Sequence, residues 1–567
     1  MRVLLFFVIL WNYTLSANDI NIVFPKENDS FSSCPSLFVI GNISKKYLKQ
    51  SPKLYINKEA VKLYKTGTFL TMVKVREGKF PIKAELIINN KRIKTSQRNI
   101  VIRKYQPHSK VAITEPHSDI VLRTNEELPV KLKIPDSTEC EIYCLLTKNN
   151  KVLAKFKMDG SFNAYSTKVY YNKELKSGEL KFVSVSKNKV KKIYSTMKID
   201  VSSKLPQQLC VTGNYLKAKA RRFFSSQSEY DMFLTENSFV EPTAYFKPWY
   251  QIKLSGDTVR YVNESSLKPS SLVKPINEVK SIIAFEKDNG IYLYLRGVSN
   301  TNFKIEKLDN SQTLNIRFFN TVADGKLEMN IDHKLNIVGQ LSKLKDSLQL
   351  SLNFPFPVKW GYSVKFDNNY AIIRINKNIK NKKQVTICLD PGHGGDENGA
   401  VGPSGVFEKY ANLILAKAVR TKLIEMNYKV ILTRNKDIKV PLYDRPIIAI
   451  KNRADIFVSL HYNSCPPSVN PLNKRGLESY YYFDSGKYLA KSIHNSILCN
   501  FKNIKNNGVK YASLAVCRNY EIPSCLIETD YIVLPEVCAV IGNEDYTNKI
   551  STAIAKGIDN YINSIDN

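Results

Sequence analysis

Three continuous apolar segments in the last third of the chain each end in a residue that can bind a metal ion or move a proton. Val385–Asp390 (VTICLD) is followed by Pro-Gly and His393, DIFVSL ends at His461, and SCLI ends at Glu528. Short, uninterrupted apolar segments are typical of parallel strands buried on both faces of a sheet. If these three strands are neighbours, their carboxyl ends meet at one edge, where open α/β sheets bind their ligands.

The segments around these strands predict an alternation of strands and helices. Helical spacing of apolar residues predicts helices at Lys409–Met426, Ser485–Leu498 and Asn543–Ile562, and Asn427 suits the left-handed residue that ends a helix. KVILTR, LESYYYF and LAVCR are predicted as further strands. The alternation predicts an α/β domain over residues 385–567, with a mostly parallel sheet covered by helices.

The region before this domain is predicted to consist of strands. Short segments rich in β-branched and aromatic residues are separated by turn signals at roughly ten-residue spacing, as in small sandwiches and barrels. We therefore predict a multidomain chain. Its predicted parts are a signal peptide at 1–17, a β-sandwich at 18–105, a second β-sandwich at 106–204, a small β-barrel at 206–270, a β-domain at 278–378, a linker at 379–384 and the α/β domain at 385–567.

Three of the β-modules resemble known modules by pattern. The segments FVIGNI, LYINKEAVKL and GTFLTMVKV in 18–105 resemble bacterial immunoglobulin-like wall modules. WYQIKLSGDTVRYV in 206–270 resembles the end of a bacterial SH3-like barrel. IYLYLRGV, TLNIRFF and LQLSLNF in 278–378 resemble the AMIN-type β-domain. The alternative is that all of these modules are generic spacers.

The first residues predict export. A positive start at Met1-Arg2, an apolar run at Val3–Trp11 and a small-residue site ending at Ala17 form the pattern of a cleaved signal peptide. No later segment approaches 18 consecutive apolar residues, so no transmembrane segment is expected after cleavage. We expect the mature protein in the periplasm or cell envelope, and the alternative is that the first segment is retained as an anchor.

The positive charge is concentrated before the α/β domain. The whole chain has 84 basic and 51 acidic side chains, a net charge of +33. Residues 1–382 hold 62 of the basic and 33 of the acidic side chains, against 22 and 18 in residues 383–567. Such a surface attracts anionic polymers over about 10 Å at moderate salt. Export favours an anionic wall polymer over nucleic acid as the partner, and the alternative is a lysine-rich composition with solvated side chains.

The residues at the strand ends have the composition of a zinc site. Two histidines, His393 and His461, and one carboxylate form a familiar zinc-binding set with a fourth position for water. Glu408 opens the predicted helix after the glycine-rich loop, although alone it would be read as a carboxylate interacting with the helix dipole. Cys465 is another potential ligand, but the Pro-Pro sequence after it should carry it away. No CxxC pair occurs among the ten cysteines, which argues against a zinc ribbon.

The motifs DPGHGG, GVFEKYAN, VILTR, SLHYNS and IPSCLIET occur in this order within Lys383–Ile562. Together they resemble the zinc-dependent N-acetylmuramoyl-L-alanine amidases of the Amidase_3 type. The resemblance implies peptidoglycan as the substrate and one zinc ion. It also implies that His393, Glu408 and His461 bind this ion, and that Glu528 is the catalytic carboxylate that moves the proton. It implies cleavage of the amide between N-acetylmuramic acid and L-alanine, in wall remodelling or daughter-cell separation.

The chain departs from the family pattern in two ways. Asp530-Tyr531 stands where the family usually has Gly-Phe. The segment between His461 and Glu528 is too short for the long autoinhibitory helical insertion that some relatives carry. Two other functions remain open at this point: a zinc peptidase acting on peptidoglycan stem peptides, and an inactive wall-binding scaffold. The basic β-modules would serve wall targeting in each case, and the sequence identifies no protein regulator.

Overall fold

The computed structural model divides the chain into two compact units. One unit contains residues 1–105, 358–362 and 375–567, and the other contains residues 106–357 and 363–374. The predicted signal peptide lies outside the described residues. These are residues 19–564 except 105–112, 117, 124–125, 135–140, 162–163, 171–176, 187–188, 202–204, 213–217, 223–229, 256–257, 272–275, 288–289, 307–311 and 378–381.

Residues 19–104 form two small sheets that enclose a core of their own. A three-stranded sheet has the order β1-β3-β6, and a five-stranded sheet has the order β2-β8-β7-β4-β5. Alternating apolar residues such as Leu37, Val39 and Ile43 fill the space between them. The strands are β1 (Ile20–Phe24), β2 (Ser30–Phe31), β3 (Ser36–Ile43), β4 (Lys53–Ile56), β5 (Glu59–Val61), β6 (Thr68–Lys74), β7 (Gly78–Ile88) and β8 (Lys91–Ile102).

The described secondary structure of the second unit consists of strands and two short 3-10 turns, at Glu264–Ser266 and His333–Leu335. Its first sheet joins strands of residues 106–204 to strands of residues 206–270, because β10 pairs with both β17 and β21. The two predicted modules therefore share a sheet, and the boundary between them stays a prediction. These strands are β9 (Ile113–Glu115), β10 (Ile120–Leu122), β11 (Glu127–Lys133), β12 (Glu141–Lys148), β13 (Lys151–Lys157), β14 (Asp159–Ser161), β15 (Ala164–Tyr170), β16 (Gly178–Ser186), β17 (Lys189–Val201), β18 (Gln208–Val211), β19 (Lys219–Arg221), β20 (Tyr230–Phe233), β21 (Phe239–Phe246), β22 (Trp249–Ser255), β23 (Thr258–Asn263) and β24 (Leu267–Ser270).

The remaining strands of this unit form a five-stranded sheet of order β29-β25-β26-β33-β32 and a four-stranded sheet of order β27-β28-β31-β30. The strands alternate between buried and more exposed residues, the pattern of a sheet with one face toward a core. They are β25 (Asn277–Lys287), β26 (Gly290–Arg296), β27 (Phe303–Glu306), β28 (Thr313–Phe319), β29 (Thr321–Ile331), β30 (Val338–Leu344), β31 (Ser347–Asn353), β32 (Tyr362–Asp367) and β33 (Tyr370–Asn376).

The C-terminal part of the first unit is an α/β domain with a six-stranded mixed sheet. The strand order is β35-β34-β36-β39-β37-β38, and only the β37–β39 pair is antiparallel among its five pairings. The prediction of a strand-rich N-terminal region followed by an α/β domain is confirmed. The elements are β34 (Thr386–Pro391), α1 (Glu408–Glu425), β35 (Lys429–Leu432), α2 (Asp444–Lys451), β36 (Ile456–Asn463), β37 (Leu477–Tyr481), α3 (Asp484–Asn500), β38 (Asn506–Tyr511), β39 (Ser524–Tyr531), α4 (Pro535–Cys538) and α5 (Glu544–Asn563).

Both faces of this sheet are covered, which explains the continuous apolar strands. Ile456, Val458 and Leu460 of β36 face the core shared with α1, α3 and α5. Phe457 faces the opposite side, together with Ala449 of α2. Successive residues from Ile456 to Leu460 therefore face opposite sides of the sheet, and all five are buried.

One predicted strand is wrong. LAVCR forms a short 3-10 turn at Ala515–Cys517 that packs Val516 and Cys517 under the sheet, in the loop before β39. The edge strand is instead the more polar β38. A short apolar run does not distinguish a strand from another buried segment by its periodicity, and a solvated edge strand lacks an apolar signal.

No helix in the part of the chain that the structure describes has the length and apolar composition needed to cross a membrane.

Candidate metal centre

The histidine at the end of β34 is held in a strained loop that brings it to the sheet edge. His393 has a φ of 61°, in the left-handed region that few non-glycine residues adopt. Gly392 before it leaves room for the neighbouring strand's histidine, since a Cβ at Gly392 would lie 2.0 Å from Cε1 of His461. Gly399 has a φ of 67°, and a Cβ there would lie 2.5 Å from Oε2 of Glu408. The loop therefore requires glycine where the side chains of His393, Glu408 and His461 approach one another.

Three predicted site residues meet in one cluster. Oε2 of Glu408 lies 3.2 Å from Nε2 of His393, and Oε1 lies 2.8 Å from Nδ1 of His461. All three potential ligand atoms lie within 4.8 Å of one another. Zinc binds histidine nitrogen and carboxylate oxygen at about 2.0–2.2 Å, which in a tetrahedral site puts ligand atoms about 3.3 Å apart. The donor set and the spacing therefore fit a zinc ion after small adjustments.

The cluster is reached by solvent from the histidine side. The side chains of His393 and His461 are 31% and 15% exposed, whereas that of Glu408 is 6% exposed. Glu408 also accepts hydrogen bonds from the amide of Ala400 at 2.9 Å and from Nδ2 of Asn412 at 3.2 Å. These two hydrogen bonds orient the carboxylate. A fourth ligand could approach from the solvent side, where the two histidines are exposed.

The cluster is electrostatically coupled. Burial raises the pKa of Glu408, but the hydrogen bonds to His393 and His461 outweigh it and hold that pKa below its ordinary value. Burial lowers the pKa of His461, and the Glu408 carboxylate overcomes this and raises it. The carboxylate is therefore ionised at neutral pH, as a metal ligand must be.

Glu528 lies beside this cluster on the next strand. In the parallel β36–β39 pair Glu528 is directly opposite His461. Burial is the main cause that raises the pKa of Glu528 to about 7, and the nearby Glu408 and Glu478 carboxylates also raise it. Its Oε2 is buried and has no hydrogen-bond partner among the described residues. A carboxylate in this state can accept and return a proton near neutral pH.

Comparisons with known proteins identify the domain that carries this cluster. Residues 387–560 match the family described as N-acetylmuramoyl-L-alanine amidase, Amidase_3. The protein YqiI of Bacillus subtilis, described as uncharacterized, is 34% identical over 180 residues, which are 31% of this chain and 84% of YqiI. N-acetylmuramoyl-L-alanine amidase AmiA of Escherichia coli is 32% identical over 227 residues, 32% of this chain and 77% of AmiA.

The chain belongs to the N-acetylmuramoyl-L-alanine amidase family. The predicted family and enzyme class are confirmed. Among solved structures, N-acetylmuramoyl-L-alanine amidase AmiC2 of Nostoc punctiforme is 39% identical, with 32% of this chain and 97% of that chain covered and a TM-score of 0.30.

Two buried arginines that the sequence analysis did not single out hold the His393 loop of the amidase domain. Arg434 donates to the carbonyl oxygens of Pro391 and Gly392, both at 2.9 Å. Arg445 donates to Oδ1 of Asp390 at 2.8 Å and to the carbonyl oxygen of His393 at 2.9 Å. Arg434 and Arg445 are 2% and 3% exposed, and Asp390 is fully buried. The two guanidinium groups therefore fix consecutive carbonyl groups of the loop that presents His393.

We expect Arg445→Met to lower the free energy of unfolding by about 3–5 kcal/mol, because the Asp390 carboxylate would remain buried without its guanidinium partner. Denaturant unfolding of the full chain measures this. The matched control is the Asp390→Asn/Arg445→Met double variant, which removes both charges and should recover part of the loss. An unchanged unfolding free energy in the single variant would contradict this role.

Glu478 forms a second buried carboxylate centre beside Glu528. The two glutamates are directly opposite each other in the antiparallel β37–β39 pair. Glu478 accepts hydrogen bonds from the hydroxyl groups of Tyr480 and Tyr531 and lies 3.3 Å from Nζ of Lys510. Burial opposes ionisation of Glu478, but these partners lower its pKa. The amidase domain thus holds one carboxylate saturated with donors next to one that has an unpaired oxygen.

The departure from the family pattern at Asp530-Tyr531 has a structural role. Oδ1 of Asp530 accepts hydrogen bonds from the backbone amides of Gly476 at 2.9 Å and Tyr531 at 2.8 Å. The hydroxyl group of Tyr531 reaches Glu478 at 3.1 Å. Both side chains therefore tie the end of the Glu528 strand to β37, where glycine and phenylalanine could not form these bonds.

Cys465 and the other described histidines, His333 and His494, are not part of the cluster. His494 of α3 is buried and lies 2.9 Å from both the Ser479 hydroxyl and Oδ1 of Asn506, as expected for a core histidine. The Cys465 thiol donates to the carbonyl oxygen of Val469 at 3.6 Å within its own loop. His333 begins a 3-10 turn in the second unit. His108 and His117 lie outside the described residues.

Proposed function

We propose that the chain is an exported, zinc-dependent amidase that cleaves the amide bond between N-acetylmuramic acid and L-alanine in peptidoglycan. One observation carries the proposal: two histidines and a carboxylate converge beside a glutamate with an unpaired buried oxygen. The family membership of residues 387–560 supports the substrate class. His393, Glu408 and His461 would hold one zinc ion, and Glu528 would be the catalytic residue.

Each residue of the site has a different role in the proposed mechanism. When bound, zinc lowers the pKa of a coordinated water toward about 7 and polarises the carbonyl oxygen of the substrate. Glu528 accepts the proton of the attacking water and delivers it to the leaving amine. Glu408 contributes a negative charge to the ligand set, and Asn412 and the Ala400 amide hold its orientation. Arg434 and Arg445 keep His393 at the sheet edge.

The bond that is cleaved is tested by mass spectrometry of muropeptides incubated with the purified chain. The proposal predicts free stem peptide and an intact glycan chain. Products cut within the stem peptide would instead indicate a zinc peptidase, and unchanged muropeptides in the presence of zinc would indicate a wall-binding scaffold. Each of the last two results contradicts the proposed amidase reaction.

We also propose that the basic region before the α/β domain directs the enzyme to the wall. The charge excess of residues 1–382 supports attraction to an anionic wall polymer. Residues 1–17 would be the signal peptide that exports the chain to the periplasm or cell envelope, where a wall amidase would act in remodelling or cell separation. Binding of the full mature chain to purified sacculi should weaken as the salt concentration rises, and salt-independent binding would contradict electrostatic targeting.

A further inference from the structure

Strand β3 of the N-terminal β-domain is buried on both faces. Leu37, Val39 and Ile43 point into the core of that domain. The alternate residues Phe38 and Ile40 belong to the core of the α/β domain. An antiparallel strand with one solvated face would alternate apolar and polar residues, whereas SLFVIGNI does not. The strand therefore has a second partner, and this partner is the amidase domain.

The surface that faces the amidase domain consists of Phe38, Ile40 and Asn42 of β3 with Leu70 of β6, and we call it the docking face. Phe38, Ile40 and Leu70 are at most 6% exposed and join one apolar cluster with the α/β core. Asn42 is 2% exposed. Complete burial of an apolar side chain contributes about 1.5–3 kcal/mol, and three such side chains are buried in this contact.

Two directional hydrogen bonds connect the docking face to loops of the metal centre. Nδ2 of Asn42 donates to the carbonyl oxygen of Pro403 at 2.8 Å. The backbone amide of Phe38 donates to the carbonyl oxygen of Pro467 at 2.9 Å. Pro403 lies between His393 and Glu408 in the chain, and Pro467 lies six residues after His461. Strand β6 also contacts α4, which follows the Glu528 strand.

The Pro403 contact leads directly to Glu408. Residues 400–408 form a tight hairpin in which Val401 pairs with Phe407. At its base the Glu408 amide donates to the carbonyl oxygen of Ala400 at 2.8 Å, and the Ala400 amide donates to Oε2 of Glu408 at 2.9 Å. At its tip the hairpin is held by Asn42. A displacement of the tip would therefore move the backbone that orients the Glu408 carboxylate.

We propose that the N-terminal β-domain is a positioning element of the metal centre, and that Asn42 and Phe38 are its positioning residues. The docking face fixes the segments that follow β34, β36 and β39, the three strands whose ends bear the site. The N-terminal β-domain does not plug the site, because none of the described residues 19–104 forms a hydrogen bond or ion pair with His393, Glu408, His461 or Glu528, and His393 remains 31% exposed. The consequence for turnover rests on the proposed function, whereas the effect on the loop does not.

The test compares Asn42→Ala with Asn57→Ala in the full mature chain. Nδ2 of Asn57 also donates to a proline carbonyl oxygen, that of Pro81 at 3.1 Å, but within the N-terminal β-domain. Hydrogen–deuterium exchange of the metal-free proteins should show faster exchange at Gly402, Gly405 and Glu408 in Asn42→Ala only. Zinc affinity, measured by chelator competition, should fall about tenfold in Asn42→Ala and stay unchanged in Asn57→Ala.

Three results would overturn the proposal. Exchange changes confined to residues 19–104 with unchanged zinc affinity would make the domain a packed spacer. Equal effects of the two variants would indicate general loss of stability. Higher turnover in Asn42→Ala would indicate an inhibitory contact. If Asn42→Ala does not fold, Phe38→Leu keeps the Pro467 hydrogen bond, weakens the docking face and must give the same localised exchange. If the wild-type chain binds no zinc, the proposed metal site is wrong. The exchange experiment still tests whether the docking face holds the hairpin at residues 400–408.

Discussion

Glu528→Gln is expected to retain its zinc ion and to hydrolyse muropeptides roughly 10²–10⁴-fold more slowly than the wild-type chain. That range is the usual contribution of a single general acid–base group. The amide keeps the size of the carboxylate but cannot accept the proton of the attacking water. Because Glu528 lies outside the cluster of three potential ligands, its replacement leaves that cluster intact. Initial rates from released stem peptide and zinc content on the same sample measure the two effects.

The matched control for this variant is Glu425→Gln. Glu425 is an exposed glutamate near the end of α1, with a side chain that is 58% exposed. Its replacement should leave both the rate and the zinc content unchanged. Wild-type turnover by Glu528→Gln would remove Glu528 from the mechanism, and loss of zinc in that variant would make it a ligand instead of a base.

His461→Ala is expected to reduce zinc affinity by more than 100-fold and to abolish turnover for that reason. Loss of a partner behind a metal ligand typically costs 10–100-fold in affinity, and loss of the ligand itself should cost more. Nδ1 of His461 also lies 2.8 Å from Oε1 of Glu408, so the variant leaves Glu408 with one histidine partner. Chelator competition measures the affinity, and turnover is measured at the highest zinc concentration that the chain tolerates.

His494→Ala separates metal loss from general destabilisation. His494 is buried, and its replacement by alanine removes the hydrogen bonds between its ring and the side chains of Ser479 and Asn506. The His494→Ala variant should have a lower midpoint of thermal unfolding, whereas its zinc affinity should stay at the wild-type value. Wild-type zinc affinity in His461→Ala, or equal losses of affinity in the two histidine variants, would contradict the assignment of His461 as a ligand.

The sequence could predict the convergence of the site because the three strands that carry it are parallel neighbours. The order β34-β36-β39 brings the ends of three apolar segments to one edge, and strand ends are visible in a sequence. Strand β37 lies within the predicted strand LESYYYF, but its antiparallel direction was not visible in the sequence. Strand direction depends on how a connection crosses the sheet, so the pairing of Glu478 with Glu528 needed the structure.

The buried hydrogen-bond partners of the His393 loop could not be predicted from the sequence either. Arg434 ends the predicted strand KVILTR, and Arg445 lies at the start of α2. Charged residues are common on surfaces, and only the fold shows these two turned toward the His393 loop. The docking of β3 is different, because its continuous apolar sequence indicates a strand that is buried on both faces. That run was consistent with an isolated β-sandwich, and the partner on its outer face was more than 350 residues away in the chain.

Metal content and turnover measured together on the wild-type chain, Glu528→Gln and His461→Ala test the central claim most directly. The claim is that one group of residues holds the ion and a separate glutamate moves the proton. It predicts one zinc ion per chain in the wild type and in Glu528→Gln and none in His461→Ala, with turnover roughly 10²–10⁴-fold lower in Glu528→Gln and lost in His461→Ala. Full turnover in a zinc-free His461→Ala, or a zinc-loaded Glu528→Gln that cleaves muropeptides at the wild-type rate, would contradict it.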